Sequence, residues 1–163
     1  MKLHWLRRKI VAGISLISAV ITIYITVDSA NLNENIHTED VWKANYSCNN
    51  HKALLNIRIK ELDYYSDEIK INALAAFTEV DRFDGETINN GAFELRGILN
   101  RGTRNFELKP LGPHEFIIKP KESYSTIGLV GQIDSEFISA TGRVWQPEGY
   151  VGCKGFDMTI IKS

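Results

Sequence analysis

Between Ile10 and Val27 the chain carries no charged residue, and from Val41 onward apolar and polar residues alternate. These two patterns predict two environments. The first run, IVAGISLISAVITIYITV, is 18 residues long. As a helix it rises about 27 Å, close to the roughly 30 Å hydrocarbon core of a bilayer. Its hydroxyl residues Ser15, Ser18, Thr22 and Thr26 can bond back to the helix backbone. A buried core helix and a cleaved signal peptide, cut near Val27-Asp28-Ser29, are the competing readings. The run exceeds the about 7–15 residues of a cleavable apolar region, so an uncleaved transmembrane signal anchor is expected.

The second pattern has a period of two. Leu55, Ile57 and Ile59 form one row, and Ile69, Ile71, Ala73, Ala75 and Phe77 a longer one. Phe93, Leu95 and Gly97 follow, then Phe106 and Leu108, then the short stretch Phe116–Ile118. Ile127, Leu129, Gly131 and Ile133 make the next row; Ile138, Ala140, Gly142 and Val144 another; Phe156, Met158 and Ile160 the last. Such rows fit strands with one buried face. Turn chemistry lies between them at Asp84-Gly85, Asn89-Asn90-Gly91, Asn100-Arg101-Gly102, Leu111-Gly112-Pro113, Asp134-Ser135 and Pro147-Glu148-Gly149, as turns require. The expectation is an all-β fold, an antiparallel meander of about eight strands closed into a small barrel of lipocalin-like form. Two packed sheets, sandwich-like, are the alternative. Closure is preferred because it removes sticky strand edges. Gly97, Gly131 and Gly142 fall where a small barrel needs sharp bends.

Charge sharpens the division. The 163 residues hold 19 basic and 20 acidic groups, a net −1. Lys2, Arg7, Arg8 and Lys9 all precede the apolar run, leaving 15 basic against 20 acidic groups in residues 28–163, a net −5. The positive-inside rule then keeps the amino terminus cytoplasmic and exports the rest. Residues 1–9 read as a basic cytoplasmic flank, 10–27 as the anchor, 28–40 as a polar stalk and 41–163 as one exported domain. The expected localisation is a single-pass cell membrane, with the domain periplasmic or extracellular. The exported part lacks the basic surplus of a nucleic-acid binder, so none is expected as a partner.

Candidate chemistry is sparse. Cys48 and Cys153 are the two cysteines, and in an up-and-down barrel the first and last strands are neighbours. Export makes a disulfide the first reading, closing a loop of more than 100 residues, as the numbering gives, and locking the seam. A zinc set of Cys48, His51, His114 and Cys153 is the alternative, since thiolate and imidazole suit that ion. No nucleophile elbow, phosphate loop, paired-histidine zinc motif or dinucleotide fingerprint occurs. Neither an enzyme activity nor a cofactor is expected. The stretch 78–91 reads as the longest connection, with carboxylates at Glu79, Asp81, Asp84 and Glu86. Function concentrates on long loops, so Asp81, Arg82, Phe83 and Asp84 are the candidate contact residues. Trp42, Tyr46, Tyr124, Trp145 and Tyr150 are placed near strand ends, where aromatics plug a barrel or line a ligand cavity.

A frame also emerges: Trp42-x-x-x-Tyr46-x-Cys48 opens the domain and Gly152-Cys153-x-x-Phe156 closes it. Ala73-x-x-Ala76-Phe77, Gly91-x-Phe93-x-Leu95-x-Gly97, Leu108-x-Pro110 and Tyr124-x-x-x-Gly128-Leu129-x-Gly131 lie between. This resembles a small, poorly characterised bacterial exported β-domain, over about Trp42 to Ile161. That family carries a Trp-Ile pair and Pro-x-x-Tyr where this chain has Glu115-Phe116-Ile117 and Pro120-x-x-x-Tyr124. The resemblance implies a β-fold and, no activity being associated with that family, adds nothing to the functional expectation. The functional expectation is a membrane-anchored, non-enzymatic recognition or accessory domain for an unknown protein or envelope component. A lipocalin-like carrier of a small apolar ligand is the alternative.

Overall fold

A computed structural model describes residues 35–48, 51–81, 83–121, 125–147 and 153–163, His51 without its side chain. The chain divides at Asn35/Ile36, and the unit Ile36–Ser163 is the one described. The apolar run 10–27, the cleavage site, Arg82, Tyr124 and Tyr150 lie outside the described residues.

Eight strands run β1 (Val41–Cys48), β2 (His51–Tyr64), β3 (Glu68–Val80), β4 (Thr87–Asn100), β5 (Asn105–Pro110), β6 (Gly128–Ile133), β7 (Ser139–Trp145) and β8 (Gly155–Ile161). Each pairs antiparallel with the next, and β8 returns to β1, so the sheet is a closed barrel in sequence order. The meander expected from the period-two rows is therefore the fold. Two strand assignments change. β1 begins before the first sequence row, with Trp42, Ala44 and Tyr46 buried between exposed Lys43 and Asn45. Phe116–Ile118 is no strand; it makes a single bridge to Ala92. Its apolar run has another cause, because the half-buried Phe116 packs against Phe77 and Phe93 at ring distances of 6.3 and 6.0 Å.

Small residues stand between large ones around the interior, so that neighbouring side chains interlock. One cross-strand row reads Trp42, Ile57, Ala75, Phe93. Another reads Phe106, Gly131, Gly142, Phe156. The two glycines let the flanking phenylalanine rings approach to 6.3 Å across them, and Trp42 packs edge-on against Phe106 at 5.7 Å. A β-carbon at Gly142 would sit 2.2 Å from the Val130 carbonyl oxygen, a position no side chain can share. Trp145 lies on the outer wall, over its partner Gly128.

One end of the barrel, the base, is closed by the segment Ile36–Asp40. Ile36 is buried, and its carbonyl accepts a 2.9 Å hydrogen bond from the Tyr64 hydroxyl. The Asp40 side chain is buried and accepts hydrogen bonds from the backbone N–H groups of His37 (2.9 Å) and Ser163 (3.1 Å), with Lys162 Nζ at 3.5 Å. The end of the segment read as a stalk is thus fastened to the barrel. Burial, then the Asp40 charge, raises the Tyr64 pKa above 10.0, and Arg101 partly offsets them. Phe137 adopts a positive φ of 56° and turns its ring into the base, so Ile138, assigned inward by parity, is exposed.

Candidate functional site

The opposite end, the rim, gathers the candidate residues. β3 and β4 extend farther than their apolar rows, so the connection between them is 81–86 rather than 78–91, and a longer one spans 111–127. The reason is that both strands end on polar inward positions. Glu79 and Asn89 face each other across the pair and are only 9% and 2% exposed. Asn89 Oδ1 accepts the Lys121 backbone N–H at 3.0 Å, tying the 111–127 connection to β4. Gly91, assigned to a turn with Asn89 and Asn90, lies in β4 beneath the Phe77 ring. Carrying the parity of Ile69–Phe77 two residues further, and that of Phe93 back to position 89, assigns both polar residues to the interior. That signal was in the pattern of alternation; the turn-forming composition of Asn89-Asn90-Gly91 outweighed it.

Inside the turn the acidic residues work locally. Asp81 Oδ1 accepts the Phe83 N–H at 2.7 Å, and Asp84 Oδ1 accepts the Glu86 N–H at 2.9 Å. The Asp81 N–H donates to the Glu86 carbonyl at 2.9 Å, and Gly85 supplies the positive φ of 75°. Short aspartate side chains that bond the backbone two residues on are turn builders. Their effect is to hold Phe83 away from the protein, with its side chain among solvent and 93% exposed. Asp81, Phe83 and Asp84 therefore share one ordered turn, whereas Glu79 points into the barrel.

Cys48 and Cys153 form a disulfide at this same end, across the β1–β8 seam, with Cα atoms 3.9 Å apart. The Lys154 N–H donates to the Ser47 carbonyl beside it at 2.8 Å. With the two sulfurs joined, the thiolates of the alternative zinc set are not available as ligands. Thr126 is buried where the 111–127 connection returns, its hydroxyl donating to the Gly112 carbonyl at 2.6 Å. Sequence reading missed this residue, because a lone threonine beside a strand carries no periodic signal.

The class these features define is a small, disulfide-closed, eight-stranded antiparallel barrel with an ordered turn at its rim. No family model matches the chain, and no curated protein matches it.

Proposed function

We propose that the barrel is a non-enzymatic recognition or accessory domain, tethered on the outer face of a cell membrane by residues 10–27. Its rim turn, Asp81 to Asp84, contacts a partner protein or an envelope component. The observation that carries this reading is Phe83. A phenylalanine ring left in water costs about 1.5–3 kcal/mol relative to burial, and here two aspartates hold it there. Aromatic side chains, phenylalanine among them, are enriched at the core of binding interfaces. The disulfide is in keeping with an oxidising, exported location. The likeness to a bacterial exported β-domain agrees with it, resting on the Tyr46-x-Cys48 and Gly152-Cys153-x-x-Phe156 frame alone.

Native co-purification from membranes with the full-length chain tests it. A protein or envelope component retained by the native chain and lost with Phe83→Ala is the expected result. A stoichiometric small apolar molecule, retained equally by both, would favour the carrier. Two ring clusters within the barrel, Trp42–Phe106–Phe156 and Phe77–Phe93–Phe116, support the first reading over that alternative.

A further inference from the structure

We propose a second binding site, on the outer wall, for short peptides with free amino and carboxyl ends. A groove of about 320 Å³ crosses β2, β3 and β4 there, at the low end of ligand-site volumes. A β-bulge makes it. The register shifts between Ile59 and Glu61, so the consecutive residues Lys60 and Glu61 both face outward and form one wall. Glu94 and Arg96 of β4 form the other, Asn72 and Leu74 the floor, and Ile117 overhangs it.

The charges of the two walls are not equivalent. Lys60 Nζ lies 3.4 Å from Glu39, and Glu61 Oε2 accepts the Asn72 amide at 2.8 Å. Glu94 and Arg96 are exposed and have no ion-pair partner among the described residues. They are two residues apart on one face of a strand, which separates their Cα atoms by about 6.8 Å, and their side chains reach from those positions into the groove. A ligand that answers both needs an ammonium and a carboxylate at a similar separation. An extended dipeptide spans about 7 Å and a single amino acid about half of that. Leu74 and Ile117 offer an aliphatic side chain its contact. The inferred ligand class is thus a dipeptide-sized zwitterion with an aliphatic residue, whether free or released from a larger chain.

The test is an NMR titration of the full-length chain with L-alanyl-L-leucine. Expected are millimolar binding and shifts confined to Leu74, Glu94, Arg96 and Ile117. Glu94→Gln and Arg96→Gln, both at exposed positions, should each weaken it about fivefold. The same peptide acetylated and amidated at its ends, and leucine alone, should bind at least about tenfold more weakly. Equal binding of the capped peptide or of leucine, unchanged affinity in both variants, or no binding would overturn the proposal. Because Phe83 is not part of this groove, the rim reading stands or falls separately.

Discussion

The two ends of the β1–β8 seam are held together by different means. At the base, β1 and β8 pair continuously from Val41/Ile161 to Asn45/Asp157. The buried Asp40 carboxylate then binds Ser163 just beyond the ladder. Toward the rim the ladder stops at Asn45, and the Cys48–Cys153 disulfide and one Ser47–Lys154 hydrogen bond continue the closure. Many weak contacts close one end, and a single covalent link spans the other. The base is therefore sensitive to sequence at many positions, whereas the rim can carry unusual residues as long as the link remains. Buried polar groups occur at both ends, Asp40 at the base and Glu79, Asn89 and Thr126 at the rim, and the exposed Phe83 is at the rim.

The largest expected effect breaks that link. Replacing both cysteines with serine should cost about 4–5 kcal/mol, from loop closure over a sequence separation of 105. That is a large fraction of the about 5–15 kcal/mol a domain possesses. Urea unfolding gives the energy, and amide exchange gives its location. Lys154 should lose protection while Trp42 and Ile160 keep theirs; uniform loss along the seam would mean the ends are not separately held. At the base, Asp40→Ala should cost about 1–3 kcal/mol, because it leaves two part-buried N–H groups without their charged acceptor. Combining the two changes sharpens the comparison. The ends share no partner, so the costs should add to within about 0.5 kcal/mol. A larger coupling energy would show that disulfide and carboxylate act on one cooperative seam.

The same contrast governs what could be read from the sequence. Strands with apolar residues on every second position, such as Leu55–Ile59 and Ile69–Phe77, were legible because burial of one face enforces the period. β1 was not, since its inward side chains Trp42, Ala44 and Tyr46 differ so much in size and polarity. Their partners across the sheet are Ile57, Leu55 and Ala53 of β2 and, for the first two, Ile160 and Met158 of β8. Phe116–Ile118 misled for the opposite reason. One of its residues is half-buried against the Phe93 ring and the other two are exposed, so a local run imitated a strand. At the rim, the Asp81, Phe83 and Asp84 turn was legible from turn chemistry. The inward Glu79 and Asn89 were legible only by extending the parity of their strands, because polar residues at strand ends also carry the signature of a loop. The disulfide followed from topology, once first and last strands were neighbours.

A smaller effect distinguishes the base from the rim by pH. Burial alone would raise the Asp134 pKa. Hydrogen bonds from the Ser139 hydroxyl and the Ile138, Ser139 and Phe137 N–H groups outweigh it and hold the carboxyl below 3.8. A carboxylate whose folded pKa is depressed stabilises the protein above the unfolded value. The contribution is lost as pH falls below 3.8 and through the folded value. Asp134→Ala should therefore cost at most about 1 kcal/mol at neutral pH, the group being largely solvated. The gap between variant and native stability should narrow in acid. A gap that stayed constant below that pH would assign the role of Asp134 to the turn's shape and not to its charge.

The smallest effect on stability is the one that bears on function. Phe83 touches solvent almost entirely, so Phe83→Ala should change the unfolding free energy by less than about 0.5 kcal/mol. Asp81→Ala and Asp84→Ala remove the bonds that order the turn, and each should cost about 1 kcal/mol or less. If the rim is a binding surface, partner retention should follow a different order from stability. Phe83→Ala would then abolish capture with the fold intact, and the aspartate variants would weaken it by loosening the turn that presents the ring. Retention that tracked stability across the three variants would remove the rim from the interface. Retention lost at Phe83 alone would locate recognition in the side chain and leave the two aspartates as its mount.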